Sequence, residues 1–134
     1  MKDFSLLIQR LDQLTKTSEK VKVLSDYFKT TPHKDVVWTI AIWSHRRPKR
    51  PVSTTALRAW AAELAGVDQW LFEDSYHIVG DLAETIALLT CKKEATIHPS
   101  DESLSTIIED LIALKTQSEN QKKAYITRKW AELN

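Results

Sequence analysis

WLFEDSYHIVGDLAETIALLT, residues 70 to 90, is the stretch whose reading decides the fold. It is apolar enough for one long buried helix, yet Gly80 stands in its middle. Glycine is unfavourable inside a helix, and nothing else there breaks the pattern. The spacing predicts two helices, near 68 to 78 and near 81 to 90, with Asp68 capping the first. Upstream, a helix starting at Ser53 is expected to bury Leu57, Trp60, Ala61 and Leu64. It stops at Gly66, where a residue without Cβ can take the left-handed cap conformation.

The same periodicity extends outward in both directions. Phe4, Leu7, Ile8, Leu11 and Leu14 fall on one face of a first helix over 3 to 14. Thr17 or Ser18 can cap a second, with Val21, Leu24 and Phe28 inward, ended by TTP at 30 to 32. Thr31 and Pro32 read as N-cap and first position of a third, with Val36, Val37, Ile40 and Ala41 inward. CKKEATIHP, 91 to 99, reads as a loop. SDES at 100 to 103 opens a helix with acids in its first turn and Leu104, Ile107, Ile108, Leu111 and Leu114 as its stripe. SENQ at 118 to 121 fits a capping box for a last helix through Trp130. The expectation is an all-α fold, an irregular orthogonal bundle of about eight short helices, since no heptad lasts three turns.

Composition agrees with that class. Two glycines and four prolines in 134 residues are too few for a turn-rich sheet protein, and 43% hydrophobic residues suffice for one core, so residues 1 to 134 are expected to form one domain. The single cysteine, Cys91, excludes an intrachain disulfide and a thiolate metal cluster and suits a reducing, cytoplasmic compartment. The first residues, MKDFSLLIQRLDQL, have neither a signal-peptide core nor a span of about 20 apolar residues, so no membrane partner is expected.

Net charge is +1, but its distribution is uneven: residues 66 to 90 hold five acids and no base, whereas residues 31 to 65 hold six bases and two acids. The densest basic run is SHRRPKRPV, 44 to 52. Its prolines at 48 and 51 forbid a continuous helix, which leaves Arg46, Arg47, Lys49 and Arg50 on a solvated loop. A solvated charge run is the ordinary explanation. The stiffness that the prolines confer, and Ser53 following as a helix N-cap with free N–H groups, add weight to anion binding. No aromatic residue interleaves these cations, so backbone contact with a duplex fits better than stacking on single strands.

Other chemistry finds little support. Gly66 and Gly80 stand alone, so there is no phosphate-cradling loop. Histidines 33, 45, 77 and 98 never recur at the i, i+4 spacing of a helical metal pair, so no metal site is expected. Glu73 with Asp74, or Asp81 with Glu84, fit the wet face of a helix better than a catalytic pair. Cys91 beside Lys92 and Lys93 lacks an adjacent histidine and reads as an ordinary thiol. The five tryptophans sit on or near apolar stripes and are expected in the core, with Trp43, next to the basic loop, set apart. No catalytic residue is assigned.

FSLLIQRLDQLTKTSEKVKVLSDYF (4 to 28), RRPKR (46 to 50), LRAWAAELAG (57 to 66) and WLFEDSYHIVGDLAETIALL (70 to 89) together resemble the N-terminal DNA-binding domain of ATP-dependent DNA ligases in their bacterial form. The resemblance covers at least residues 1 to 90, and Tyr76 followed by Gly80 to Thr85 is its most specific part. His45 stands where the family commonly places a glycine. The resemblance implies a helical domain lying across the minor groove of a nicked duplex, helping the catalytic domains of the same ligase close around it. The parent enzyme would use ATP and Mg2+ and seal nicks in replication, repair or recombination. No K-x-D-G motif occurs here. The chain is therefore expected to be the N-terminal part of a ligase without its adenylation and oligonucleotide-binding domains, binding DNA at most and not sealing. The implied contacts are Arg46, Arg47, Lys49 and Arg50, with Gly80, Lys92 and Lys93; Asp81 is expected to act as a structural cap. The expected protein is a monomer in the bacterial cytoplasm, associated with the nucleoid. The rival from another class is a helical protein-interaction module whose acidic helices, 68 to 90 and 100 to 114, meet a basic partner without DNA affinity. A small standalone enzyme would need a convergent site that the scattered histidines do not form.

Overall fold

The computed structural model of the protein describes residues 1–90 and 101–133. Among them are eight α-helices and one 3-10 turn: α1 (Lys2–Gln13), α2 (Thr17–Thr30), α3 (His33–Trp43), α4 (Thr54–Ala65), α5 (Gln69–Val79), α6 (Leu82–Thr90), α7 (Leu104–Ala113), the turn Leu114–Thr116, and α8 (Glu119–Leu133). The fold is all-α, with no strand among the described residues. The expected loop at 91 to 99 lies outside them. The Cα positions group into two compact units, Met1–Lys49 with Ser100–Ile112 and Arg50–Pro99 with Ala113–Asn134.

The second unit has a clear apolar centre: Ala61, Ala62, Phe72 and Ile86 are buried, and Val67, Tyr76, Leu82, Leu89 and Trp130 pack against them. The two alanines present little more than backbone on the inner face of α4, so α5 and α6 can approach closely. The Phe72 ring, fully buried, contributes roughly 2–3 kcal/mol of transfer free energy. Sequence expectation put Leu57, Trp60 and Leu64 in this core. Instead Leu57 and Trp60 are half-buried and Leu64 is exposed, because the small Ala61 and Ala62 occupy the closest approach. Ion pairs tie the helices at the rim: Arg58 donates to Glu73 across α4 and α5 at 2.8 Å, and Lys123 of α8 to Glu63 of α4 at 2.6 Å.

Local signals set the ends of these helices. Ser53 accepts a hydrogen bond from the Ala56 N–H, as expected of an N-cap. Gly66, at φ 68°, ends α4 with the paired bonds of a Schellman motif, Gly66 N–H to Glu63 and Val67 N–H to Ala62. Gly80, at φ 81°, ends α5, and its N–H bonds the Tyr76 carbonyl. A side chain there would meet nothing within 4 Å, so backbone handedness and not space requires the glycine. Ser118 and Gln121 form the capping box of α8, with reciprocal bonds of 3.0 Å and 3.4 Å. Asp68 is the N-cap residue of α5 but makes no side-chain capping bond.

In the first unit, Leu7, Tyr27, Leu104, Ile107 and Ile108 are buried. Its polar interior departs from expectation. The side of α3 that faces inward is Asp35 and Thr39, while Val37 and Ile40 are 63% and 49% exposed. The reason is hydrogen bonding. The Thr39 hydroxyl donates to the Asp35 carbonyl at 2.8 Å, which leaves Thr39 to accept from the Tyr27 hydroxyl at 3.2 Å. The Asp35 carboxylate accepts from the N–H groups of Leu104 and Ser105, at 3.3 Å and 2.9 Å, and so caps α7 from another helix. The acids of SDES therefore do not lie in the first turn. That helix begins at Leu104, and Ser103 supplies a further cap to the Thr106 N–H. The Met1 amino group donates to the Glu102 carbonyl just before it.

Other expectations shift by a residue or a turn. Thr31 closes α2 through its N–H to Tyr27, so Pro32, not Thr31, is the N-cap of α3. Lys16, not Thr17 or Ser18, stands at the N-cap of α2, without a side-chain bond. Tyr27 takes the inner position on α2, leaving Val21 58% exposed.

Candidate nucleic-acid interface

The basic run leaves α3 through a defined geometry. His45 is the only non-glycine residue with positive φ among the described residues, at 61°. Its N–H bonds the Ile42 carbonyl at 3.3 Å, and the Arg46 N–H bonds the Ala41 carbonyl at 2.8 Å, the same Schellman pairing that Gly66 makes. A left-handed residue with a Cβ costs about 1–2 kcal/mol, part of which glycine returns through its greater entropy loss on folding. His45→Gly should therefore stabilise the protein by about 0.5–1 kcal/mol. Urea unfolding followed by circular dichroism measures it; equal or lower stability would show that His45 is not strained.

Beyond His45 the chain has neither helix nor strand until α4. Arg46, Arg47, Lys49 and Arg50 are all exposed, Pro48 and Pro51 stiffen the run, and buried Val52 and the Ser53 cap fix its far end. The first of the three points at which the chain passes from one compact unit to the other falls between Lys49 and Arg50. No acid occurs from Ser44 to Ser53. None of the four cations makes an ion pair among the described residues, whereas Lys34, Arg58 and Lys123 each meet a carboxylate. Four like charges this close repel one another, and a polyanion relieves that repulsion.

The other expected contacts are placed differently. Gly80 sits exposed at the junction of α5 and α6. The Asp81 carboxylate accepts from the Glu84 N–H at 2.8 Å, so Asp81 caps α6 as the sequence suggested, and the helix start already carries an anion. Lys92 and Lys93, with Cys91 and His98, lie outside the described residues. Of the acids weighed and set aside as a catalytic pair, Glu73 accepts from Arg58 and from Gln69. Among the described residues no group of three or more His, Cys, Asp or Glu is placed to hold a metal, and no helix is long and apolar enough to cross a membrane.

Two tryptophans depart from the core placement. Trp43 is 38% exposed, its ring 6.4 Å from that of Phe4, and Trp70 is 66% exposed. Trp70 occupies the outer side of α5, opposite buried Phe72, which is why an apolar stripe alone misplaced it.

The described residues thus form an all-helical module that carries an exposed run of uncompensated cations on a stiffened loop. A family model, DNA ligase N terminus, matches residues 1–134. The chain belongs to that family, which ties it to DNA ligase function, with DNA and the ligase catalytic domains as its partners in general. No curated protein and no solved structure matches it.

Proposed function

We propose that the chain binds duplex DNA without regard to sequence, as the N-terminal domain of a bacterial ATP-dependent DNA ligase. The observation that supports this reading most is the run Arg46, Arg47, Lys49 and Arg50: exposed, acid-free and without ion-pair partners among the described residues. Its guanidinium and ammonium groups neutralise phosphates and release counterions, which makes binding salt-sensitive. The Gly80 backbone, Lys92 and Lys93 are secondary contacts. The bound DNA is a nicked duplex held at the minor groove, and the catalytic domains of the same ligase supply ATP and Mg2+ chemistry in replication, repair or recombination. The chain acts as a monomer in the cytoplasm, at the nucleoid. With no K-x-D-G lysine, it neither takes AMP from ATP nor seals.

Fluorescence anisotropy with two nicked duplexes of unrelated sequence tests this. The same dissociation constant for both, in the micromolar range at moderate salt, is expected. A strong preference for one sequence would contradict backbone recognition, and no binding to either would favour the protein-interaction reading.

A further inference from the structure

α5 turns a second, different surface to solvent. At 100° per residue Trp70, Leu71, Asp74, His77 and Ile78 fall on one face, opposite Phe72 and Val79. Trp70 is 66%, Leu71 41% and Ile78 84% exposed, an unusual concentration of large apolar side chains on one helix face. Beside them is a cavity of about 500 Å3 lined by Arg58, Trp70, Glu73, Asp74, Tyr76 and His77. Glu73 is answered by Arg58 at 2.8 Å, whereas Asp74 has no ion-pair partner among the described residues. No lysine or arginine occurs in the sequence between Arg58 and Lys92.

Aromatic walls beside an uncompensated carboxylate hold a cationic side chain, through the ring faces and through charge. The flanking Leu71 and Ile78 call for apolar partners about two turns apart. A nucleic acid is disfavoured, because its phosphates would meet the Asp74 carboxylate, in a stretch, residues 66 to 90, that holds five acids and no lysine or arginine. We propose that the outer face of α5 docks a basic amphipathic helix of a protein partner. A Lys or Arg of that helix enters the cavity beside Trp70 and Asp74, and its apolar face covers Leu71 and Ile78. The stripe from Trp70 to Ile78 is about 12 Å long, so some two turns of partner helix span it.

The 134-residue chain is titrated into a fluorescein-labelled amphipathic peptide of about 18 residues built from Leu and Lys, and into its Leu and Glu counterpart. Micromolar binding of the Lys peptide is expected, with the Glu peptide about 10-fold weaker or more. Trp70→Ala and Ile78→Ser should each weaken the Lys peptide about 10-fold and Asp74→Asn about 3-fold. All three side chains are exposed, so helicity by circular dichroism should be unchanged. Replacing Arg46, Arg47, Lys49 and Arg50 by Ala should leave peptide binding intact. Absence of binding by the Lys peptide, or equal binding by the face variants, would overturn the proposal. So would self-association in sedimentation velocity that Ile78→Ser abolishes, because a second copy would then be the occupant.

Discussion

Asp35→Ala should lower the unfolding free energy by about 2–3 kcal/mol, the usual cost of removing a charged, buried hydrogen-bond acceptor. Asp35 is 8% exposed and accepts from two backbone N–H groups at the start of α7. Alanine leaves both donors without that partner at a buried helix end, where water cannot fully replace it. Burial pushes the Asp35 carboxyl up, but hydrogen bonds from the Ser105 side chain and from the Ser105 and Leu104 N–H groups, with the positive N-terminus, hold it below its ordinary value. A folded-state pKa lowered in this way stabilises the protein above the unfolded value, and that stabilisation is lost as pH falls through the folded pKa. The difference between wild type and Asp35→Ala should thus be full at pH 7 and shrink below roughly pH 4. Urea unfolding at both pH values measures it, and a difference of the same size at pH 7 and pH 3 would refute the role of the charge.

The second large effect is on DNA. Changing Arg46, Arg47, Lys49 and Arg50 together to Ala should weaken duplex binding on the order of 100-fold at low salt, if each cation neutralises one phosphate. All four side chains are exposed and lie outside the helices, so stability should move by no more than about 0.5 kcal/mol. Changing the three arginines to Lys retains the charge and should retain most of the binding, since phosphate positioning here needs cations more than a bidentate fork.

What could be read from the sequence was local. Gly66 and Gly80 end helices because each must be left-handed, and the Ser118–Gln121 box lies within one turn. Two prolines within a basic run predict an exposed loop without tertiary information. What could not be read depends on distant parts of the chain. Asp35 caps a helix that begins 69 residues later, and this turns a helix made of HKDVVWTIAIW polar side inward. A lone acid in that apolar stretch was the available signal. Trp70 shows the opposite limit, since an apolar periodicity cannot tell a core face from an exposed docking face when both sides of α5 carry large residues. His45 belongs between these cases. Its left-handed backbone is one that glycine adopts without strain, a requirement that histidine itself does not announce.

The most direct test of DNA-backbone recognition by the basic loop is the slope of log Kd against log salt concentration on one nicked duplex, between 50 and 200 mM. Wild type and the variant with Ala at 46, 47, 49 and 50 are measured side by side. The loss of four phosphate contacts should reduce the slope by about 3 to 4 units. Parallel lines of equal affinity for the two proteins would place the DNA contact elsewhere on the chain.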